Sequence, residues 1–126
     1  MVKSILGIDY GRKRIGLAIS EAGLIARPLK TIENKGERKN LLALSELIRQ
    51  YLIGTIVVGL PVHKNVSMSD EVKSFAKTLE PLAVKIIFQN EMLTSVAAES
   101  VRGNKSIDSI AATMILQDYL TSKTPL

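Results

Sequence analysis

Three acidic residues occupy positions where an acid needs a reason. Asp9 closes the apolar run SILGID at residues 4–9. Glu91 lies just past the run AVKIIF at 83–88. Asp108 stands in the first turn of IDSIAATMILQDYL at 107–120. Carboxylates gathered in one place repel one another unless protons or hard cations compensate them. An all-oxygen donor set of this kind suits Mg2+ or Mn2+ rather than zinc. Two such ions about 3.5–4 Å apart can activate a water and stabilise the leaving oxygen of a phosphodiester. Metal-assisted phosphodiester hydrolysis is therefore the chemistry to look for. Each acid also has a plain structural reading: Asp108 as a helix-terminus residue favoured by the dipole, Glu91 as a solvent-facing or helix-start acid, Asp9 as a strand-end residue. Spacing alone does not choose between them.

Other side chains could serve the same chemistry. His63, the single histidine, follows GLPV on a loop near the same sheet edge. It can donate to a phosphate or move a proton near neutral pH, or be an ordinary loop residue. Arg12, Lys13 and Arg14 crowd one turn beside Asp9, where they either contact phosphates or solubilise the turn. Thr94 and Ser95 either cap a helix or bond substrate, and capping is the more economical account.

The elements that must position these residues follow from periodicity. SILGID (4–9) reads as a strand, YGRKR as a turn, and RIGLAIS (14–20) as a second strand with Ile15, Leu17 and Ile19 on one face. A third strand is expected at about 25–32, and such short, turn-linked strands pair antiparallel. Leu41, Leu44, Ile48 and Leu52, widened by Leu47 and Tyr51, predict a helix over 37–52 that Gly54 stops. TIVVGLP reads as a strand buried on both faces and ended by Pro61. A helix is expected over 67–80, capped by Ser67 or Ser69, with Val72, Phe75, Ala76 and Leu79 as its face. AVKIIF (83–88) is a fifth strand, and QNEMLTSVAAES a short helix beyond it. The last helix, 107–120, presents Ile107, Ile110, Ala111, Met114, Ile115 and Leu116 as a broad buried face, with a frayed tail over 121–126. The order β-β-β-α-β-α-β-α-α predicts an α/β fold: a mixed five-stranded sheet flanked by helices, in one domain spanning 1–126.

Composition narrows the classes. The 126 residues suffice for one domain burying about 65% of its unfolded surface. The absence of cysteine excludes a disulfide scaffold and thiolate metal sites, and permits a cytoplasmic setting. No signal peptide is expected, because Asp9 breaks the first apolar run, and no stretch reaches the roughly 18 apolar residues of a membrane span. A net charge of +5 makes a polyanionic partner plausible. Besides residues 12–14, Lys35, Arg38 and Lys39 form a second cluster. The three Tyr and two Phe are scattered, which argues against a base-stacking platform.

GIDYGRKRIGLAIS, VVGLP at 57–61, NEMLTSVAA at 90–98 and IDSIAATMILQDYL, in that order, resemble the YqgF/RuvX family of bacterial Holliday-junction-resolvase-like proteins. The resemblance runs over nearly the whole chain, and its DYGxxRIGLA stretch is highly specific. It implies a ribonuclease-H-like fold and a nuclease acting in 5′-end maturation of pre-16S ribosomal RNA, with pre-rRNA or a ribosomal precursor particle as partner. It places the family's catalytic, metal-holding carboxylates at Asp9, Glu91 and Asp108, with Mg2+ or Mn2+ as cofactor. The chain departs from the family in two places. Asn90-Glu91-Met92 stands where Asp-Glu-Arg is usual, so a neighbouring acid and a phosphate-clamping cation are missing. The segment between Glu99 and Asp108 is short where relatives carry a longer basic one, with Arg102 and Lys105 as its remnant for nucleic-acid contact.

Three rivals follow: a structure-selective nuclease for branched DNA, a faded RNA-binding module in ribosome biogenesis, and a nucleotide-binding lobe. The last is the weakest, because a DxG turn also opens the phosphate site of actin-like ATPases, yet those bind between two lobes. No sequence feature sets an oligomeric state.

Overall fold

A computed structural model describes residues 3–61, 66–91 and 107–123. The strands are β1 (Ser4–Asp9), β2 (Arg14–Ser20), β3 (Arg27–Glu33), β4 (Ile53–Leu60) and β5 (Lys85–Asn90). The helices are α1 (Glu37–Tyr51), α2 (Val66–Lys77) and α3 (Ile107–Lys123), with a 3-10 turn at Glu80–Leu82. The sheet order is β3-β2-β1-β4-β5. β1, β2 and β3 form an antiparallel meander, while β4 and β5 run parallel to β1. The expected mixed five-stranded sheet is thus present, with β1 at its centre. The ends of β1, β4 and β5 share one edge.

Alternation along the strands splits the core in two. Leu6, Ile8, Ile15, Leu17, Ile19, Ile56 and Val58 face α1 and α2, where Leu44, Leu47, Val72, Phe75 and Leu79 meet them. Ala18 and Val57 face α3, whose Ala112, Ile115, Leu116, Tyr119 and Leu120 close the second layer. Leu6, Ile8, Val57 and Val58 are wholly buried, which is why the two central strands read as apolar runs. Each such side chain contributes about 1.5–3 kcal/mol of transfer free energy.

Several boundaries differ from those expected. α1 ends at Tyr51 because Leu52 takes the left-handed conformation (φ 55°, ψ 49°), its N–H donating to the Ile48 carbonyl. Gly54 is not the stop; it already lies in β4. Ser67 and Ser69 lie inside α2 rather than at its cap, and the Ser69 hydroxyl donates to the Pro61 carbonyl at 3.3 Å. β5 runs two residues later than expected, so Gln89 and Asn90 extend the strand by pairing with Gly59 and Leu60 instead of starting a helix. The expected helix beyond them lies mostly outside the described residues.

α3 also departs from expectation. Its buried seam is Ser109, Ala112, Ile115, Leu116, Tyr119 and Leu120, while Ile107, Ile110, Ala111 and Met114 are only half-buried. Small residues at 109 and 112 are needed where the helix start lies closest to the sheet. Residues 121–123, expected in a frayed tail, are helical because α3 continues to Lys123, and 124–126 lie outside the described residues. The last turn of α3 is held by the Ser122 hydroxyl donating to the Tyr119 carbonyl at 2.9 Å and by Lys123 Nζ over the Tyr119 ring at 5.3 Å.

Candidate active site

Asp9 ends the central strand on the α3 side of the sheet, two positions after Gly7, whose Cα lies under Leu116. Its two strand neighbours are glycines. On β2 its partner is Gly16. On β4, one step beyond the Ile8–Val58 pair, the chain reaches Gly59.

The space a side chain would fill is taken by Asp108 at Gly16 and by Ile115 of α3 at Gly59, with Glu91 beside it. The start of α3 lies against Gly16, so closely that a Cβ there would fall on the Asp108 carbonyl and 2.9 Å from the Asp108 Cβ. On the other side, a Cβ at Gly59 would stand 3.4 Å from Glu91 Cγ. Glu91 is fixed there because its N–H donates to the Leu60 carbonyl at 2.9 Å, continuing the β4–β5 pairing past Asn90. Asp9, Asp108 and Glu91 therefore occupy one face of one sheet edge, around two positions without side chains. Gly16 and Gly59 are the site-shaping residues that the sequence reading overlooked. The signal was a glycine inside each strand pattern, which marks close approach by another part of the chain.

The carboxylates are not pooled. Among the described residues, no three His, Asp or Glu side chains gather tightly enough to hold an ion. Asp108 is turned toward Arg14, whose Nε donates to Oδ2 at 2.8 Å. The donor chemistry still suits a hard divalent cation, since all three side chains offer oxygen and share one edge.

The basic turn is partly engaged. Arg12 crosses to α2 and grips Glu71, Nε to Oε1 at 2.9 Å with a second contact from Nη2 to Oε2. This hydrogen-bonded pairing raises the Arg12 pKa and lowers that of Glu71 below the ordinary 4.5, the hydrogen bond being the main cause for both. Lys13 is exposed at the tip of the turn. His63, Met92, Thr94, Ser95, Arg102 and Lys105 lie outside the described residues.

A cleft of about 720 Å³ opens on the opposite face, between α1 and α2, with Tyr10, Asn34, Asn40, Asp70, Glu71 and Phe75 in its wall. Tyr10, next after Asp9, lines it, and its ring packs on Phe75 with centroids 4.4 Å apart.

Comparison with known proteins agrees with this architecture. Residues 3–122 match the family model RuvX, described as Holliday junction resolvase. A "Putative pre-16S rRNA nuclease" of Moorella thermoacetica is 39% identical over 130 residues, covering 92% of this chain and 93% of that protein. A protein of the same name from Onion yellows phytoplasma is 42% identical over 132 residues, covering 91% and 87%. Among solved structures, Thermus thermophilus RuvC in complex with a Holliday junction substrate superposes with a TM-score of 0.60 at 12% identity, covering 97% of this chain and 96% of that one. The fowlpox virus resolvase with its junction DNA gives 0.62 at 12% identity, covering 97% and 99%. At such identities these two speak for the fold alone, a resolvase-like α/β architecture of the ribonuclease-H type. The chain belongs to the RuvX family.

Proposed function

We propose that this protein is a divalent-metal-dependent endonuclease that hydrolyses RNA phosphodiesters in 5′-end maturation of pre-16S rRNA, in the cytoplasm. The observation that carries the reading is the placement of Asp9, Glu91 and Asp108 on one face of one sheet edge, around Gly16 and Gly59. These three carboxylates would hold Mg2+ or Mn2+. When bound, such a cation supplies the Lewis-acid charge that phosphodiester hydrolysis requires. Asp9 stands on the central strand and anchors the set. Glu91 is oriented by its backbone tie to Leu60, and Asp108 by the packing of α3 on Gly16. Arg12, Lys13 and Arg14 steer and position the phosphate backbone, contacts that set affinity rather than sequence choice.

The relatives at 39% and 42% identity carry a pre-16S rRNA nuclease name, whereas the junction-bound structures are 12% identical. That contrast supports RNA over branched DNA. Asn90 and Met92, in place of the usual acid and arginine, are the features that favour a catalytically weak RNA-binding module.

The test is cleavage of an end-labelled 16S rRNA precursor beside a four-way DNA junction, with Mn2+ and with EDTA, by wild type and Asp9→Asn. RNA cleavage that needs metal and disappears in Asp9→Asn, with folding and RNA binding kept, is the expected result. Cutting of the junction alone would move the substrate to DNA. RNA binding without cleavage by either protein would favour the binding module.

A further inference from the structure

Asn34 joins the two basic clusters that the sequence keeps twenty residues apart. Its N–H donates to the Lys13 carbonyl at 2.9 Å, and its side-chain amide donates to the Gly11 carbonyl at 2.9 Å. Asn40, on the first turns of α1 and only 5% exposed, donates from its amide to Asn34 Oδ1 at 2.9 Å. Asn40 Oδ1 in turn accepts from the Lys35 backbone N–H at 3.2 Å. Two asparagines thus clasp the β1–β2 turn to the start of α1, at the same sheet edge as Asp9. A buried amide whose two ends both hold backbone or its partner asparagine fixes a position rather than filling a core.

The clasp sets lysines side by side. A shallow groove of about 490 Å³ between the end of β3 and α1 has Lys35 and Lys39 in its wall, with Ile32, Glu33 and Asn40 beside them. Both lysines are exposed, and Lys35 meets Glu33 only loosely, at 3.9 Å. The Lys13 backbone is tied to Asn34, the residue just before Lys35. The first turn of a helix disfavours cations, because its dipole is positive there. Arg38 and Lys39 nevertheless both fall in that turn, and local stability gives no reason for them.

We infer that Lys35 and Lys39, extended by Lys13, form a phosphate track for the RNA strand, running from the carboxylate edge around to the α1 side of the sheet. The inference rests on the RNA-nuclease reading. Lysines on long stems suit a backbone of regularly spaced charges without reading its sequence. The wall of the larger cleft carries Glu37 and Asp70 beside the Arg12-paired Glu71, so phosphates are drawn there less than to the Lys35–Lys39 side.

The test is binding of a fluorescent 16S precursor RNA in EDTA, read by anisotropy at several salt concentrations. Lys35→Gln/Lys39→Gln is compared with wild type and with Lys85→Gln/Lys123→Gln. The latter removes equal charge at the opposite edge, and thermal melts check that both variants fold. The groove variant should bind about tenfold more weakly and lose roughly 0.7 of log–log salt slope per phosphate contact removed. The control variant should stay near wild type. Wild-type affinity and slope in the groove variant, or an equal loss in the control, would overturn the track. A wild-type protein that binds no RNA at all would remove the RNA reading itself, and this inference with it.

Discussion

Arg14 Nε lies 2.8 Å from Asp108 Oδ2. The two are 94 residues apart in sequence, yet they share the edge where Asp9 meets Gly16. Under the proposed function Asp108 must also face a divalent cation, so Arg14 competes for the same oxygen. The pair is exposed enough, at 52% and 23%, to be worth only about 0.2–1 kcal/mol. Removing it should therefore tighten Mn2+ binding by no more than about fivefold. Calorimetric titration of Arg14→Gln against wild type measures this directly. Unchanged or weaker binding would show that Arg14 orients Asp108 for the metal instead of opposing it.

Gly16 and Gly59 should respond differently to an added methyl. Gly→Ala in an extended strand ordinarily gains about 0.5–1 kcal/mol from chain entropy. At Gly16 the new Cβ meets the Asp108 backbone, which cannot yield without moving the start of α3. Overpacking of that kind costs about 1–3 kcal/mol or more and wins. At Gly59 the nearest atom is the far end of the Ile115 side chain, which can rotate away. We expect Gly16→Ala to lower urea stability by at least about 1 kcal/mol and to abolish cleavage. Gly59→Ala should stay within about 1 kcal/mol of wild type. Equal stabilities would contradict the close packing of Asp108 on β2.

The strands closest to the site were the most legible. β1 and β2 match their expected bounds because apolar alternation and a Gly-containing turn agree there. β5 was misplaced by two residues because Gln89 and Asn90 are polar, yet backbone pairing to Gly59 and Leu60 outweighs side-chain type at a strand end. α3 was found, but of its inward face only Ile115 and Leu116. Its apolar and polar residues are not segregated to opposite faces, so period could not choose a side, and the choice is made by the glycines it packs on. The Arg12–Glu71 and Arg14–Asp108 pairs were invisible, since nothing local in a sequence marks partners 59 and 94 residues away.

The tie between Arg12 and Glu71 should be visible in a pH titration. The hydrogen bond from Arg12 holds the Glu71 pKa below the ordinary 4.5. A folded-state pKa depressed in this way contributes stability above the unfolded value, and that contribution is lost as pH falls through the folded value. The β1–β2 turn should therefore stay docked on α2 through mildly acidic pH and release only below the usual carboxylate range. The side-chain carboxyl carbon of Glu71, followed by NMR, should titrate below 4.5 in wild type and move back up in Arg12→Gln. An identical midpoint in both proteins would show the pairing absent in solution.

Asn40→Ala tests the clasp between the two basic clusters. Alanine is the better helix former, by up to about 0.7 kcal/mol. Against this, the Lys35 N–H loses its acceptor and Asn34 loses the donor that aligns it with Gly11. Stranding partners of a side chain this buried costs about 1–3 kcal/mol, so the loss should prevail. Urea unfolding should show a net destabilisation of about 1–2 kcal/mol. Amide exchange should accelerate at Asn34 and Lys35 ahead of the β1–β4 core, because the clasp holds a surface turn rather than the sheet. Wild-type stability in Asn40→Ala would mean that the turn and the helix start are held together without the asparagines.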